Sequence, residues 1–430
     1  MLASLLGTGS GEDMYALIEE LYPICRSITG EGVRQTLGRI AAELPIEITE
    51  VPSGTPVLDW TVPKEWNIRE AWIKGPDGSK IVDFAEHNLH VVNYSVPVHE
   101  HLALEALKPR LHSLPDRPDW VPYRTSYYDE TWGFCLPHRQ LEALPDGTYE
   151  VYIDSDLKDG SLTYAEAVIP GRTDNEVLLS AHTCHPSLAN DNLSGIALLV
   201  RLGRALAEAD TRYTYRLIFA PGTIGSITWL ARNTEKTSNI RHGLVLSCVG
   251  DAGGPTYKRS RDGDAAIDRA VARVFAEAAP AGTILDFSPY GYDERQYGSP
   301  GFNLPVGLFE RSKYGEFPEY HTSADNLEFV SAAELDRSYA LVARVIDILE
   351  TDWYPVNAAP HGEPQLGRRG LYKAMGGDNE RVERQMAMLW VLNLADGEHS
   401  LADIATKAGI GLARIEEVAG LLLEHELITR

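Results

Sequence analysis

The chain has 430 residues, 44% hydrophobic and 23% charged, with 39 Lys and Arg against 62 Asp and Glu for a formal net charge of −23. That length holds two or three domains with full cores, and the composition is that of an ordinary soluble globular protein. The acidic balance excludes the basic face that nucleic acid requires and is poor for anionic membrane surfaces.

The opening segment, MLASLLGTGSGED, has no basic n-region and too short an apolar run for a secretory signal. No stretch approaches the roughly 18 apolar residues of a membrane span. Residues 12–44 read as two helices, with Leu17, Ile18 and Leu21, then Val33, Leu37 and Ile40, at helical spacing. From about Pro52 to Pro145 the texture becomes rich in Pro, Trp, Tyr and His with short alternating runs, which predicts a small β-rich module. From Tyr149 to Glu350 strands alternate with helices. EVLLSAH (176–182), RLIFA (216–220), GLVLSC (243–248) and PVGLF (305–309) are apolar runs set between amphipathic helices. The pattern predicts a doubly wound, mostly parallel α/β sheet, whose ligands sit at the carboxyl ends of the strands. A linker rich in Pro and Gly then leads to three helices with a helix-turn-helix pattern, ending as a winged helix. The domains expected are 1–54 with 146–355, an insert at 55–145, and a winged helix at 368–430. Cys25, Cys135, Cys184 and Cys248 are too scattered for a disulfide framework, so reduced thiols in a cytoplasmic protein are expected.

The densest chemical signal is AHTCHPSLANDNLSG, residues 181–195, between a buried strand and a helix. It gathers His182, Cys184, His185, Asp191 and Asn192 in one exposed loop. Zinc takes imidazole nitrogen and carboxylate oxygen, and catalytic zinc keeps three protein ligands and one open position. Helix capping is the bland use of such a loop, and Asn192 or Ser194 suits it. Two histidines and an aspartate together favour a metal.

The loop resembles that of the di-zinc aminopeptidases, in which the strand-end His binds one metal and the Asp bridges both. YHTSAD (320–325) matches that pattern's final metal His. Along the whole chain LYPICRSITGEGVRQTL, HTCHPSLANDNLSG, YKRSR, YGYDERQYGSPGFNLPVGLF and EFPEYHTSADNL resemble a bacterial aminopeptidase-like family, often encoded beside polysaccharide or natural-product genes. That family carries the inserted β module and the C-terminal winged helix. The resemblance implies His182, Asp191 and His321 as metal ligands.

The sequence departs from the di-zinc pattern after the next strand, where FAPGTIGS puts Gly222 in place of the general-base Glu and Thr223 in place of the ligand Glu. Ser247 stands for a further metal Asp, with Asp251 a few residues on, and Cys184 for the Asp that orients the first His. These losses favour one zinc over two. His185 is read as a further ligand or a partner of His182. Glu294, Glu310, Glu316 and Glu319 are the candidates to replace the base, Glu294 and Glu319 first, and Tyr320 the candidate oxyanion donor. Lys258, Arg259 and Arg261, with Arg295, would hold a substrate carboxylate or phosphate, unless they form an exposed loop and solvated pairs.

The function expected is a zinc-dependent amide hydrolase of aminopeptidase type, acting on an aminoacyl group of a specialised metabolite or sugar conjugate. A small-molecule or short peptide-like substrate follows, with no nucleic acid or membrane partner. The alternative is a non-hydrolytic zinc-binding or lyase/transferase homologue that has lost its base. In the winged helix, Arg414 stands among acids, which suits packing or homo-oligomer formation rather than DNA reading.

Overall fold

Strand β3 (Glu176–His182) is buried along its whole length, and the rest of the large sheet is arranged around it. The structure, a computed structural model, describes residues 11–371 and 379–430. Most of the opening segment and residues 372–378 of the expected C-terminal domain lie outside the described residues.

The large sheet has eight strands: β1 (Glu47–Pro52), β2 (Ser161–Ile169), β3, β4 (Thr214–Ala220), β5 (Ile240–Leu246), β6 (Thr256–Lys258), β7 (Thr283–Leu285) and β8 (Val306–Glu310). Their spatial order is β1-β2-β4-β3-β5-β8-β6-β7. The four central strands β4, β3, β5 and β8 run parallel. β2 joins β4, and β6 joins β8, in antiparallel fashion. Helices α1 (Gly11–Leu21), α2 (Glu31–Ala41), α3 (Gly195–Ala207), α4 (Ile224–Arg232) and α5 (Ala266–Ala278) belong to the same unit. This is the doubly wound, mostly parallel sheet that the alternating pattern predicts. The chain leaves β3 for β4 on one side and returns past β3 to β5 on the other. The crevice outside the carboxyl end of β3 is therefore a switch point, where ligands bind in such sheets.

Gly195, at the first position of α3, marks how closely the loop after β3 is packed. A Cβ there would lie 2.4 Å from both the Asn192 Oδ1 and the Leu246 carbonyl oxygen. At the opposite end of the parallel strands, buried Arg216 bridges Glu166 and Glu176 at 2.5 and 2.6 Å, and Trp229 Nε1 donates to Glu166. The carboxylates that burial would penalise are thus paired.

A second, antiparallel sheet of four strands has the order Lys80–Asp83, Glu65–Lys74, Thr148–Lys158, Val98–Ala103. Thr148–Lys158 alternates buried and half-buried residues and pairs with strands on both sides. The β-rich module therefore reaches Lys158, past the 145/146 boundary drawn from turn chemistry. Trp66 and Trp72 are buried, Trp66 donating to the Ser95 carbonyl and Trp72 stacking on Tyr152. Both are core residues.

Residues 346–430 form a separate unit. Helices Asn379–Leu394, Leu401–Ala408 and Leu412–Glu424 enclose a core including Val391, Ile404, Ile415 and Leu422, and Ile428–Thr429 pairs antiparallel with Val356–Asn357. Ser400 and Asp403 form a capping box at the second helix, and Gly409 ends that helix at φ 64°. Among the described residues no helix is long and apolar enough to cross a membrane.

Candidate functional site

His182 is the last residue of β3, and the chain then turns through residues 183–188 into a distorted turn at Ala189–Ser194 that leads into α3. Asp191 and Asn192 adopt non-helical backbone angles in that turn, which aims Asp191 back at the strand end. His321 comes from the long loop after β8, at φ 56°, in the left-handed region where non-glycine residues are uncommon.

The three meet at one carboxylate. Asp191 Oδ1 lies 2.9 Å from His182 Nε2, and Oδ2 lies 3.0 Å from His321 Nε2. His185 Nδ1 is 3.2 Å from Oδ2 and 3.3 Å from His182 Nε2. Asp191 is fully buried, His182 nearly so, and His321 opens to solvent on one side. Burial alone would push the Asp191 carboxyl up, but His185 and the hydrogen bonds from His182 and His321 hold it well below the usual carboxylate range. Burial opposes charge on His185, yet Asp191 beside it raises that imidazole well above its ordinary value.

These spacings fit a metal. Ligand atoms 2.0–2.1 Å from a tetrahedral zinc would be separated by about 3.3 Å, close to the observed donor distances. The ligand atoms of His182, His185 and Asp191 all lie within 4.8 Å of one another. His185 Nδ1, however, also lies 3.1 Å from the Asp191 backbone oxygen. That oxygen only accepts, so this nitrogen has a hydrogen-bond partner besides the Asp191 carboxylate. His321 Nε2 has no such competing contact.

A polar shell fixes the loop. The backbone N–H groups of Asn190 and Asp191 donate to Asp325 at 2.6 and 2.9 Å. Burial pushes the Asp325 carboxyl up to about 8, against the pull of those two bonds. Asn190 Nδ2 donates to Asp251, which also accepts from Ser312 and from the Gly253 N–H. Asp251 therefore supports the loop from behind and is not free to join the site. Asn192 Oδ1 accepts from the N–H groups of Gly195 and Cys248, tying the loop to the end of β5. Tyr292 was not found by sequence reasoning. Its ring stacks on His182 at 4.8 Å, and its hydroxyl donates to Asp191 Oδ1 at 3.0 Å and accepts from the Tyr320 hydroxyl at 3.3 Å. Tyr320 in turn stacks on His321 at 4.0 Å. Burial raises both phenols above their ordinary range, so both stay protonated.

At the end of β4 the missing carboxylates leave a gap. A Cβ on Gly222 would lie 3.7 Å from His182 Cβ and 3.4 Å from Cys184 Sγ, which accepts the Gly222 N–H. Thr223, not Gly222, carries the left-handed φ of 62°. Asp293, a second residue missed by sequence reasoning, accepts the Thr223 N–H at 2.7 Å and the Ser226 hydroxyl at 2.9 Å. Burial raises its carboxyl, while His182 nearby pulls it down.

The other candidates fall elsewhere. Lys258 is buried and pairs with buried Glu294 at 2.5 Å, also donating to the carbonyls of Ser288 and Tyr290. Neither side chain can meet a substrate, and together they clamp the segment carrying Tyr292. Glu310 is buried beside them, and burial pushes it up to about 8. Arg259 bonds the Gly263 carbonyl in its own loop, and Arg261 bonds Asn303 from a different segment, so both have partners within the protein. Arg295 lies over Tyr290 and contacts Thr223 Oγ1 at 3.4 Å. Glu316 pairs with Lys313 on the surface. Glu319 is half-exposed, and its carboxylate has no hydrogen bond or ion pair among the described residues.

Comparison with known proteins places the chain firmly. A family described as a domain of unknown function (DUF4910) matches residues 15–352, and a winged helix-turn-helix family matches residues 353–430. A Clostridium acetobutylicum protein, named for polysaccharide biosynthesis and an aminopeptidase-like domain, is 52% identical over 419 residues, 97% of this chain and 96% of that one. A crystal structure of a C. acetobutylicum protein described as a peptidase is 50% identical, covers 100% of this chain and 98% of its own, and superposes with a TM-score of 0.90. A zinc aminopeptidase from Bacillus subtilis is 13% identical, with 78% and 94% covered and a TM-score of 0.57, which shows a common fold.

Proposed function

The chain belongs to the DUF4910 family of aminopeptidase-like proteins with a C-terminal winged helix, and from that membership we propose that it is a zinc-dependent amide hydrolase. The observation that carries this reading is the convergence of His182, Asp191 and His321 at the carboxyl end of β3. These three would hold the ion, with His185 orienting Asp191 and one position left for water or substrate. A zinc ion there would polarise an amide carbonyl and lower the pKa of bound water to about 7.

The chain's own groups supply the remainder. Asp293 is the carboxylate that stands beside the vacancy at Gly222. Burial has raised its proton affinity, and it serves as proton acceptor in place of the absent glutamate. The Tyr292 hydroxyl donates to the Asp191 carboxylate, and the Tyr320 hydroxyl beside it is the donor to oxygen that gains charge during attack on the amide. Tyr123, whose ring meets both His185 and His321 edge-on at 5.2 and 5.1 Å, walls the pocket against water. The substrate class is an aminoacyl amide on a small conjugate, and a sugar conjugate accords with the polysaccharide name of the 52% identical relative.

The test is elemental analysis of the purified chain combined with hydrolysis of chromogenic aminoacyl amides. Zinc with measurable amide cleavage is expected. A zinc-loaded, folded chain that cleaves none of them would replace this reading by a non-hydrolytic one.

A further inference from the structure

A cavity of about 820 Å³ opens beside His321 and Tyr320 and is roofed by residues 114–124 of the inserted module. Its walls carry two arginines, Arg117 and Arg124, against a single carboxylate, Asp116. In a chain with 62 acidic and 39 basic residues that local excess runs against the overall charge. Both arginines are exposed, and neither forms an ion pair with a carboxylate among the described residues. Arg117 contacts only the Asp116 carbonyl, at 3.0 Å, and the face of Trp120, at 5.5 Å. Arg124 makes no side-chain hydrogen bond among the described residues.

The backbone fixes these cations relative to the metal ligands. The Tyr123 N–H donates to the His321 carbonyl at 2.8 Å, Val121 and Ser323 exchange two further bonds, and Pro122 bridges Thr322. Arg124 is thus one residue from a segment stitched to the His321 loop. A guanidinium offers a planar fork matched to carboxylate and phosphate, and an unpaired one at a cavity wall leaves that fork free.

We propose that this cavity is an anion subsite, in which Arg117 and Arg124 hold a carboxylate or phosphate carried by the substrate whose amide lies at His321. The subsite rests on the hydrolase reading for the amide's position, but not for anion binding itself.

Two measurements on the full-length chain separate these. First, inorganic phosphate is titrated calorimetrically into metal-free protein. Binding should weaken about tenfold in Arg124→Gln or Arg117→Gln and further in the double variant, each side chain being exposed and dispensable for folding. Unchanged phosphate affinity in the double variant, or no binding by the wild type, overturns the subsite. Second, leucinamide, leucyl-glycine and leucyl-aminoethyl phosphate are compared on zinc-loaded protein. One of the two anionic probes should bind at least tenfold tighter than leucinamide, and which one it is distinguishes carboxylate from phosphate. The preference should collapse in the double variant. Equal binding of all three overturns the proposal even where leucinamide is cleaved. Phosphate binding lost with the arginines, in a chain that cleaves no amide, would instead keep the subsite and remove the hydrolase.

Discussion

Asp293 accepts the backbone N–H of Thr223 at 2.7 Å, and so a carboxylate from a segment seventy residues downstream stands where β4 ends without one. Thr223 opens α4 with φ 62°, and Asp293 also takes the Ser226 hydroxyl in the first turn of that helix. Asp293→Asn keeps an oxygen for both bonds, so fold and zinc content should persist. Turnover of aminoacyl amides should fall by about 10²–10⁴. Near-wild-type turnover would remove Asp293 from the reaction and leave the partner-free carboxylate of Glu319 as the residue to test.

Gly222→Glu, made in the Asp293→Asn background, should recover part of that loss. A Cβ at Gly222 meets nothing closer than Cys184 Sγ at 3.4 Å, and the residue lies outside the left-handed region, so the backbone tolerates the change. Stopped assays with zinc content measured in parallel decide it; a folded, zinc-loaded double variant as inactive as its parent would mean that the space by His182 does not serve a base.

Zinc should copurify at about one equivalent per chain, because Thr223 and Ser247 offer no carboxylate for a second ion and Asp251 is committed to Asn190 and Ser312. His321→Ala should empty the site. His185→Ala should weaken binding by about 10–100-fold without abolishing it, as loss of an orienting donor does. Two tightly held ions, or full retention of zinc in His321→Ala, would contradict the assigned ligand set.

Lys258→Met should destabilise the fold by about 3–5 kcal/mol, because Glu294 would be left as an uncompensated buried charge. Denaturant melts of the single variant and of Lys258→Met/Glu294→Leu check this. The double variant should recover most of the loss, and equal melts for the single variant and wild type would show the pair to be solvated.

Stability should also fall as pH rises between about 4.5 and 8. Burial raises Glu310 from its ordinary value of 4.5 to about 8, so in that window the folded chain binds a proton that the unfolded chain has released. The penalty is absent below the unfolded value and complete above the folded one. Glu310→Gln should flatten this slope and raise the melting temperature at pH 8 relative to pH 5; parallel pH profiles for the two proteins would refute it.

The sequence made the site partly legible because three of its parts lie in a single loop. His182, His185 and Asp191 fall within ten residues of one another after a buried strand, and a motif match was needed only for His321. Tyr292 and Asp293 were invisible for the opposite reason. Their partners are Asp191 and Thr223, with no local pattern linking the segments. Glu294 attracted attention in the same motif, but the turn before the short helix Glu294–Tyr297 sends Asp293 to Thr223 and Glu294 to Lys258. Pro145–Gly147 has turn chemistry, whereas the alternation that follows it belongs to the smaller sheet. In the winged helix the acidic surroundings of Arg414 were readable directly, and the side chain pairs with Glu417 and lies 3.8 Å from Glu383.

The pairing of Pro122 with Thr322, and of the Tyr123 N–H with the His321 carbonyl, makes the inserted module a bracket for the His321 loop rather than an ornament on the sheet. Truncating the protein to its large sheet would cut the tether that holds His321 in a left-handed backbone conformation. A variant made by excising residues 55–158 should therefore lose affinity for added zinc before it loses its fold. By the same coupling, a ligand that tightens residues 114–124 would stiffen the His321 loop without touching its imidazole.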